Sequence, residues 1–446
     1  MVHRKAAALF KRVGFALVAT ILVLLISEAT AVAVYLVHTR RMPSPSQFQR
    51  ARSSLLGEAP DTRDTPQIVH DLLESPDARP PDQIGAEVLH PYLGFVYSPE
   101  RNTPAFRAVY GAGISSWGFV DDDIPIHAAD PGKVIVGMFG GSVAWYLSTE
   151  SADTLVSGLK EVPAFRDKQI VIVRTALFGY KQPQQLLALT YLLSMGAHFD
   201  IVINLDGFNE VVLPVTENLQ KHVFPFYPRT WFVRVADSPA SRRVIDRVKD
   251  LRAERRSLAT VASNPIARRS MTANVMWKLM DESLSNRITM LQINWLKQPL
   301  DDGGYAATGP PAAYRTEADL YQDLADKWKS ASLQMNRLAR ANGAAYFHFL
   351  QPNQYVPGSK PMTADEKALA IDEGFMFAQP ARTGYPYLIA AGRQLAADGV
   401  WYQDLTGLFS KLPLPVYRDN CCHFKKRGNE IIAATIASAI AAKFAR

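Results

Sequence analysis

The chain has 446 residues, of which 48% are hydrophobic and 20% are charged. This composition is typical of a globular protein with a sizeable core, and it excludes collagen-like, low-complexity and wholly disordered chains. The net charge of +7 is concentrated between residues 229 and 269, where eleven Lys and Arg stand with four Asp and Glu. No zinc-finger spacing, RNP pattern or recognition-helix signature accompanies these cations, so we expect no nucleic-acid partner.

The first predicted element is a transmembrane helix over residues 13–37. The segment is apolar except for Glu28 and a few small hydroxyls, and at about 1.5 Å per residue it is long enough to cross a ~30 Å hydrocarbon core. Basic residues in 1–12 predict that this tail is cytoplasmic and that the remainder is exported. We therefore expect a single-pass protein of the inner membrane whose main domain is periplasmic or extracellular.

A cleaved signal peptide is the alternative for this segment, because Ala29-Thr30-Ala31 fits a small-x-small cleavage site. The apolar run continues over residues 32–37, which favours an uncleaved anchor. An ionised Glu28 inside the span would cost a few kcal/mol. The sequence therefore predicts that Glu28 is protonated, snorkels, or contacts another membrane helix as a partner; a tolerated single Glu is the simpler alternative.

Residues 38–85 are predicted to be a Pro-rich linker, since they contain seven prolines among Ser, Asp and Arg. From residue 86 to 446 we expect one domain, in which short apolar strands alternate with helical patterns. Five strands are predicted: 133–139, 169–174, 200–205, 344–350 and 400–404. Helices are predicted at 152–159, 183–195, 320–342, 386–397 and 429–444.

Such alternation indicates an α/β fold with a parallel, doubly wound sheet, whose active sites lie at the carboxyl ends of the strands. The crossover between the third and fourth strands is far longer than one helix needs, so residues 214–309 are predicted to form an insertion. Its SRRVIDRVKDLRAERRSL segment predicts a basic amphipathic helix. The sequence leaves two interpretations of this helix: its cationic face is solvated, or it contacts anionic lipid or acidic glycan.

Ser142 is a candidate nucleophile, because it follows the first strand in GMFGGSVAW and precedes a predicted helix. Gly140 and Gly141 allow a sharp turn, and a helix N-terminus favours a developing oxyanion. Taken alone, Ser142 could equally be an N-cap. No Gly-Lys-Ser/Thr follows, which excludes a phosphate-binding P-loop.

Three further candidates stand at corresponding places. Gly179 follows the second strand and Asn209 the third, while His423 lies just before the last helix with Asp419 four residues earlier. Singly, Gly179 reads as a turn residue and Asn209 as a helix cap. A His beside a carboxylate can be held in one tautomer and act as a general base.

In their order, these residues resemble the blocks of the SGNH (GDSL-like) hydrolase family, in particular its bacterial membrane-anchored branch. The resemblance covers roughly residues 90–446 and runs through GGS (Ser142), FGYKQPQQ (Gly179), DGFNE (Asn209) and CHFKKRGNEIIA (His423). It implies a flavodoxin-like three-layer α/β/α sandwich and a serine esterase or acyltransferase. It further implies that Ser142 is the nucleophile, that His423 is the base, and that Ser142, Gly179 and Asn209 form the oxyanion hole.

The chain departs from the family pattern at the residue that orients His423. The family has a carboxylate three residues before the His, and Asn420 occupies that position here. We rank Asp419 first as the orienting residue, Asn420 second and Asp404 third. The adjacent Cys421 and Cys422 imply neither a disulfide framework nor a metal site, and we expect no cofactor.

The resemblance implies an extracytoplasmic, membrane-tethered esterase or O-acyltransferase that acts on acyl esters, with acetyl esters of cell-surface carbohydrate as the expected substrates. The alternative is a catalytically inactive SGNH-fold protein that binds glycan or assists polysaccharide assembly, since a fold alone does not establish activity. Whether the acyl group passes to water or to an acceptor hydroxyl is left open by the sequence.

Overall fold

A computed structural model describes residues 2–39, 42–56, 87–102, 106–107, 111–235, 239–297 and 304–444 of the chain. It divides into two compact units. The helical unit comprises Met1–Ile68 and Pro239–Trp295, and the sheet unit comprises Val69–Ser238 and Leu296–Arg446. The predicted insertion over 214–309 thus contributes residues to both units.

The elements in chain order are α1 (Val2–Thr39), α2 (Pro45–Leu56), β1 (Glu87–His90), β2 (Gly94–Tyr97), β3 (Lys133–Gly140), α3 (Ser142–Glu150), α4 (Ala152–Leu159), β4 (Gln169–Arg174), α5 (Gln184–Ser194), β5 (Ile201–Asp206), α6 (Phe208–Leu213), α7 (Trp231–Val235), α8 (Pro239–Ala262), α9 (Met271–Lys297), α10 (Gly304–Thr308), α11 (Glu317–Ala341), β6 (Ala345–Leu350), α12 (Ala364–Ala370), α13 (Ala378–Ala397), β7 (Trp401–Asp404) and α14 (Lys426–Phe444).

In the helical unit, α1 contains the one helix stretch in the described residues that is long and apolar enough to span a membrane, Gly14–Thr39. This agrees with the predicted apolar helix at the N-terminus. Helices α8 and α9 form a hairpin whose apolar core includes Leu251 and Ile288. A second apolar cluster joins Tyr35 of α1 to α2 and the hairpin.

Helix α2 lies inside the segment that the sequence predicted as a linker. Pro43 precedes the helix and Pro45 is its first residue, where a missing N–H costs nothing because first-turn N–H groups lack helical partners. Phe48 and Arg52 of α2 are both buried, so tertiary contacts stabilise the helix. Residues 40–41 and 57–85 of the predicted linker lie outside the described residues.

The sheet unit is built on one five-stranded parallel sheet with the order β4-β3-β5-β6-β7. The predicted parallel α/β sheet is therefore confirmed, and each strand lies within one residue of its predicted position. Strands β3, β5 and β6 are buried along nearly their whole length, as in sheets covered on both faces. Strands β1 and β2 form a separate antiparallel pair.

Helix α13 differs most from its prediction. The sequence placed Pro386 in the first turn, whereas the helix begins at Ala378 and carries Pro386 in its interior. A proline there removes one helical hydrogen bond. The buried side chains of Tyr385 and Leu388 on either side of it pack into the main core, and this packing outweighs the lost bond.

Candidate active site

The turn between β3 and α3 places Ser142 at the carboxyl edge of the sheet. Gly140 has φ +144°, and a Cβ there would lie 2.1 Å from the carbonyl oxygen of Leu205 on the neighbouring strand. Only glycine fits this close approach of two backbones. Gly141 is the N-cap of α3 and Ser142 its first residue, so the N–H of Ser142 is one of the first-turn donors without a helical partner.

Ser142, His423 and Asp419 are brought together, although 281 positions separate the serine from the histidine. His423 Nε2 lies 2.7 Å from Ser142 Oγ, and His423 Nδ1 lies 2.6 Å from Asp419 Oδ2. The two ring nitrogens of His423 thus face a hydroxyl on one side and a carboxylate on the other. A His oriented in this way can accept the serine proton.

The loop from Asp419 to His423 is closed by the carboxylate itself. Asp419 Oδ1 accepts hydrogen bonds from the N–H groups of Cys421, Cys422 and His423, at 2.9, 3.2 and 3.3 Å. One oxygen therefore shapes the backbone while the other contacts the imidazole. Both oxygens restrict where the ring can lie.

Electrostatics strengthen the same pair. Burial alone would raise the pKa of Asp419, but the His423 ring and the backbone donors outweigh it and lower the pKa. Burial opposes a charged His423, yet the Asp419 carboxylate raises the pKa of the imidazole well above its usual range. The carboxylate thus stabilises the imidazolium that forms when His423 accepts a proton.

The two other orienting candidates lie elsewhere. The backbone carbonyl of Asn420 accepts a hydrogen bond from Tyr355 Oη at 2.7 Å. Asp404 is exposed at the end of β7, and its Oδ1 accepts the N–H of Thr406 at 2.8 Å. The carboxylate in contact with His423 Nδ1 is that of Asp419, the first in our ranking.

Asn209 and the Gly179 loop meet beside the serine. Asn209 Nδ2 donates to the Tyr180 carbonyl at 2.8 Å, and a Cβ on Gly141 would lie 2.3 Å from the same nitrogen. An amide carries two N–H donors, so one remains for a substrate oxygen near Ser142. The amide thereby joins the start of α6 to the loop that contains Gly179 and Tyr180.

Gly179 itself has φ +75°, and a Cβ there would lie 1.9 Å from Arg229 Cδ. Arg229 is in turn held by Glu217, with Nη2 2.5 Å from Oε1. Conformation and space both require glycine at this position.

Glu210 is a residue that the sequence reasoning missed. Its Oε1 accepts from the Gln182 N–H and from Gln185 Nε2, each at 3.0 Å, and its Oε2 accepts from the Gly207 N–H at 2.8 Å. Burial and the nearby Asp206 raise the pKa of Glu210 to about 8. The carboxyl group connects the Gly179 loop to the start of α6, which carries Asn209. Its sequence signal is a Glu three residues after the N-cap Gly207, the position from which a Glu side chain reaches back to the N-cap N–H.

Helix α3 contacts the histidine loop at both ends. Ser142 at its start faces His423, and Glu150 at its end accepts two hydrogen bonds from Arg418 Nη2, at 2.8 and 3.0 Å. The Arg418 guanidinium also lies 4.5 Å above the Tyr146 ring, and the Tyr146 and His423 ring centroids are 5.2 Å apart. These contacts fix the loop against the helix that carries the serine.

A second Ser-His-Asp series lies in the core of the same unit. His348 Nδ1 is 2.7 Å from Ser332 Oγ, and His348 Nε2 is 2.8 Å from Asp206 Oδ1. Ser332 and His348 have no exposed surface, whereas Ser142 is 6% exposed. Asp206 also accepts from Trp328 Nε1 at 2.7 Å, so the buried series satisfies core polar groups and has no access for a substrate.

Potential metal donors occur beside the candidate triad. The Cys421 and Cys422 thiols are 3.3 Å apart, and with His423 they place three donor atoms within 4.8 Å of one another. The His423 nitrogens already face Asp419 and Ser142, so a metal ion on this donor set would compete with the triad contacts.

Comparison of the sequence with protein-family models and with curated proteins finds no match. The fold and the arrangement of side chains described above therefore carry the functional argument.

Proposed function

We propose that this protein is a membrane-anchored serine hydrolase or O-acyltransferase of the SGNH type, acting on acyl esters, in particular acetyl esters of cell-surface carbohydrate. The observation that carries the proposal is the hydrogen-bonded series from Asp419 through both nitrogens of His423 to Ser142 Oγ. This connectivity is that of a Ser-His-Asp triad.

The architecture supports the proposal. Numbered along the chain, the parallel strands have the order 2-1-3-4-5, which is that of flavodoxin-like sheets. Helices α3, α4 and α14 pack together as one group, and α5, α11 and α13 as another. Two helix groups around one sheet are consistent with the three-layer sandwich of SGNH hydrolases.

The first half-reaction is acyl transfer to the enzyme. Ser142 Oγ forms a bond to the ester carbonyl carbon while its proton passes to His423 Nε2. The carbonyl π electrons move to oxygen, and the N–H groups of Ser142 and Gly179 with the Asn209 amide would stabilise that oxyanion. The carbon–oxygen bond to the alcohol then breaks, and His423 gives the proton to the departing alcohol.

The second half-reaction reverses these steps with a new nucleophile. Water, or the hydroxyl of an acceptor sugar, gives a proton to His423 and attacks the acyl-Ser142 carbonyl. Collapse of the second oxyanion frees Ser142, which recovers its proton from His423. Water makes the protein an esterase and a sugar hydroxyl makes it an O-acyltransferase. No cofactor enters either route.

The rival function is a catalytically inactive glycan-binding or assembly protein. Its rationale is the displaced carboxylate in the sequence. The 2.6 Å contact between Asp419 and His423 removes that rationale and favours catalysis. The acylated substrate and the membrane are then the expected partners, and the inner membrane with a periplasmic or extracellular catalytic domain is the proposed location.

A fluorophosphonate probe tests the activity directly, because it labels a serine only when a base activates the hydroxyl. We expect wild-type protein to be labelled and Ser142→Ala to be unlabelled with an unchanged circular dichroism spectrum. Ser332→Ala is the matched control, since it alters the buried series alone and should label like the wild type. Labelling of folded Ser142→Ala would overturn the proposal.

A further inference from the structure

Beyond residue 26, one face of α1 is covered by the rest of the helical unit. Every side chain of residues 14–26 is exposed, whereas Ala31 and Tyr35 are buried against the helical unit. The thirteen bare residues would cover about 20 Å at about 1.5 Å per residue. A hydrocarbon core is ~30 Å thick, so a span that begins near residue 13 also includes the part of α1 whose one face packs on α2 and the hairpin, while Val34, Leu36 and Val37 stay exposed.

Glu28 binds the N-terminus of α9. Its carboxylate accepts hydrogen bonds from Ser270 Oγ at 2.5 Å, from the Met271 N–H at 2.6 Å and from the Thr272 N–H at 3.3 Å. First-turn N–H groups lack helical partners and favour an anion. Glu28 thus contacts a helix of its own unit, and the expected contact with another membrane helix stays a prediction.

A second contact gives the direction of the hairpin. His38 Nε2 lies 3.5 Å from Glu282 Oε2. From Glu28 to His38 α1 rises about 15 Å, and from Ser270 to Glu282 the chain rises about 18 Å. Helix α9 therefore runs alongside α1 in the same direction, and the turn that connects α8 to α9 points toward the bare end of α1.

The depth of this turn follows from helix arithmetic. A span that starts at residue 13, after the basic tail, reaches the far hydrocarbon edge about 20 residues later. Glu28 then lies about 8 Å inside that edge. The hairpin tip, defined as residues 257–270, lies at the level of Glu28 because Ser270 contacts its carboxylate.

The composition of the hairpin changes at the same level. Ten charged side chains occur between residues 239 and 256, but the tip contains only Arg268 and Arg269. Val261 and Ile266 of the tip are 66% and 84% exposed. The hairpin thus has an exposed apolar tip and a highly charged base, and this change matches the change in polarity from the interior of a membrane to its surface.

The two arginines fit a shallow position. Both are exposed, and a long arginine side chain can keep its charge among lipid phosphates while its stem lies in the apolar layer. From about 8 Å below the hydrocarbon edge, such side chains extend toward the phosphate layer. Anionic phospholipid therefore matches their charge.

We propose that the tip of the α8–α9 hairpin inserts into the leaflet on the C-terminal side of α1, with Val261 and Ile266 among acyl chains and with Arg268 and Arg269 at phosphates. The inference rests on the part of the proposed function that makes α1 a membrane anchor, and it is independent of ester chemistry. The hairpin and α1 then hold the protein by two membrane contacts.

Spin-label accessibility in the full chain tests this insertion. The protein is reconstituted in nanodiscs of phosphatidylcholine and phosphatidylglycerol, in a Cys421→Ser, Cys422→Ser background. A nitroxide is attached at Ile266→Cys in one sample, at Leu22→Cys in a second, and at Lys249→Cys in a third. Oxygen partitions into lipid and a nickel chelate stays in water. We expect the labels at 266 and 22 to be accessible to oxygen and protected from nickel. The label at 249, whose native side chain is 71% exposed at the hairpin base, should be accessible to nickel.

Each other outcome overturns a defined statement. If the label at 266 is as accessible to nickel as the label at 249, the proposed insertion of the tip is wrong. Protection from nickel at 22 would then still support α1 as a membrane anchor. Accessibility of the label at 22 to nickel would contradict both the α1 anchor and the tip insertion. Protection at 266 from oxygen and nickel alike would mean a protein contact, such as a second copy, in place of lipid. None of these results depends on Ser142 reactivity.

A second measurement uses the unaltered chain, in case the cysteine-free background fails to fold. Nanodiscs containing a diazirine-bearing phosphatidylcholine are irradiated, and the crosslinked peptides are mapped by mass spectrometry. We expect lipid adducts on 257–267 as well as on α1. Adducts on α1 without adducts on 257–267 would overturn the insertion.

Discussion

Asp419 precedes His423 by four residues, and its Oδ2 lies 2.6 Å from the His423 Nδ1. The extra residue is accommodated because Asp419 Oδ1 binds the N–H groups of three consecutive residues that end at His423. The turn shortens the path from carboxylate to ring. A spacing that departs from the family pattern therefore still produces the triad connectivity.

The pH dependence of kcat/KM reports this pair. Catalysis needs neutral His423, so kcat/KM should rise with pH through the His423 pKa, which Asp419 raises. In Asp419→Asn the raising charge is lost, and the rising limb should shift to lower pH while kcat falls by orders of magnitude. Hydrolysis of p-nitrophenyl acetate against pH measures both effects.

Two control variants make the assignment to Asp419 specific. Asn420→Ala and Asp404→Asn alter side chains that make no hydrogen bond to His423 Nδ1, which faces Asp419, so both should keep the wild-type pH profile. Loss of activity in Asp404→Asn with full activity in Asp419→Asn would transfer the orienting role to Asp404. Circular dichroism confirms that each variant is folded.

The Asn209 amide is placed to donate a hydrogen bond to the oxyanion. A hydrogen bond that forms mainly in the transition state affects kcat more than KM, so Asn209→Ala should lower kcat by on the order of 10². The same change removes the 2.8 Å bond to the Tyr180 carbonyl, and a modest fall in melting temperature is expected with it. A change confined to KM would instead identify a substrate-positioning residue.

Gly179 and Gly196 form a matched pair of glycines for a third prediction. Both have positive φ, +75° and +90°, so alanine costs about 1 kcal/mol of backbone strain at either position. A Cβ at Gly196 meets nothing within 4 Å, whereas one at Gly179 displaces Arg229. Gly196→Ala should lose stability with unchanged kcat/KM, and Gly179→Ala should lose kcat/KM as well. Equal kcat/KM in the two variants would remove Gly179 from the candidate oxyanion hole.

The sequence predicts best what local pattern determines. Apolar runs predict the five strands, and Ser142, Gly179 and Asn209 can be identified as candidates because each lies within five residues of the carboxyl end of a strand. The contact between Glu28 and Ser270 joins residues 242 positions apart. No local periodicity marks such a contact, so the packing of α1 with the hairpin could not be predicted. The Asp419 spacing was ambiguous because the loop takes its shape from hydrogen bonds to the aspartate itself.

Reporter fusions test the side of the membrane. The basic residues before the apolar helix predict a cytoplasmic N-terminus. Alkaline phosphatase joined after residue 85 should therefore be active, and a reporter that works only in the cytoplasm should be inactive at the same junction. The opposite pattern would reverse the topology. Sequencing of the mature N-terminus is the accompanying measurement, since a start at Val32 would replace the anchor by a cleaved signal.

The final prediction concerns Glu210, which we expect to position the oxyanion loops without touching the substrate. Its two oxygens accept three hydrogen bonds, from the Gln182 and Gly207 N–H groups and from Gln185 Nε2. Glu210→Gln keeps the size of the side chain but turns an NH₂ group toward at least one of these donors. The donor that faces this NH₂ group is then buried without an acceptor, which lowers the stability of the fold by about 1–3 kcal/mol.

We therefore expect Glu210→Gln to lower the melting temperature and to lower kcat, because the Gly179 and Asn209 loops lose their common carboxylate. The rising pH limb of kcat/KM should stay where it is in the wild type, since the contacts of His423 with Asp419 and Ser142 are untouched. That combination separates a positioning residue from a proton-transfer residue. A shifted limb would show that Glu210 acts on His423 itself, and an unchanged kcat in a destabilised variant would reduce Glu210 to a purely structural role.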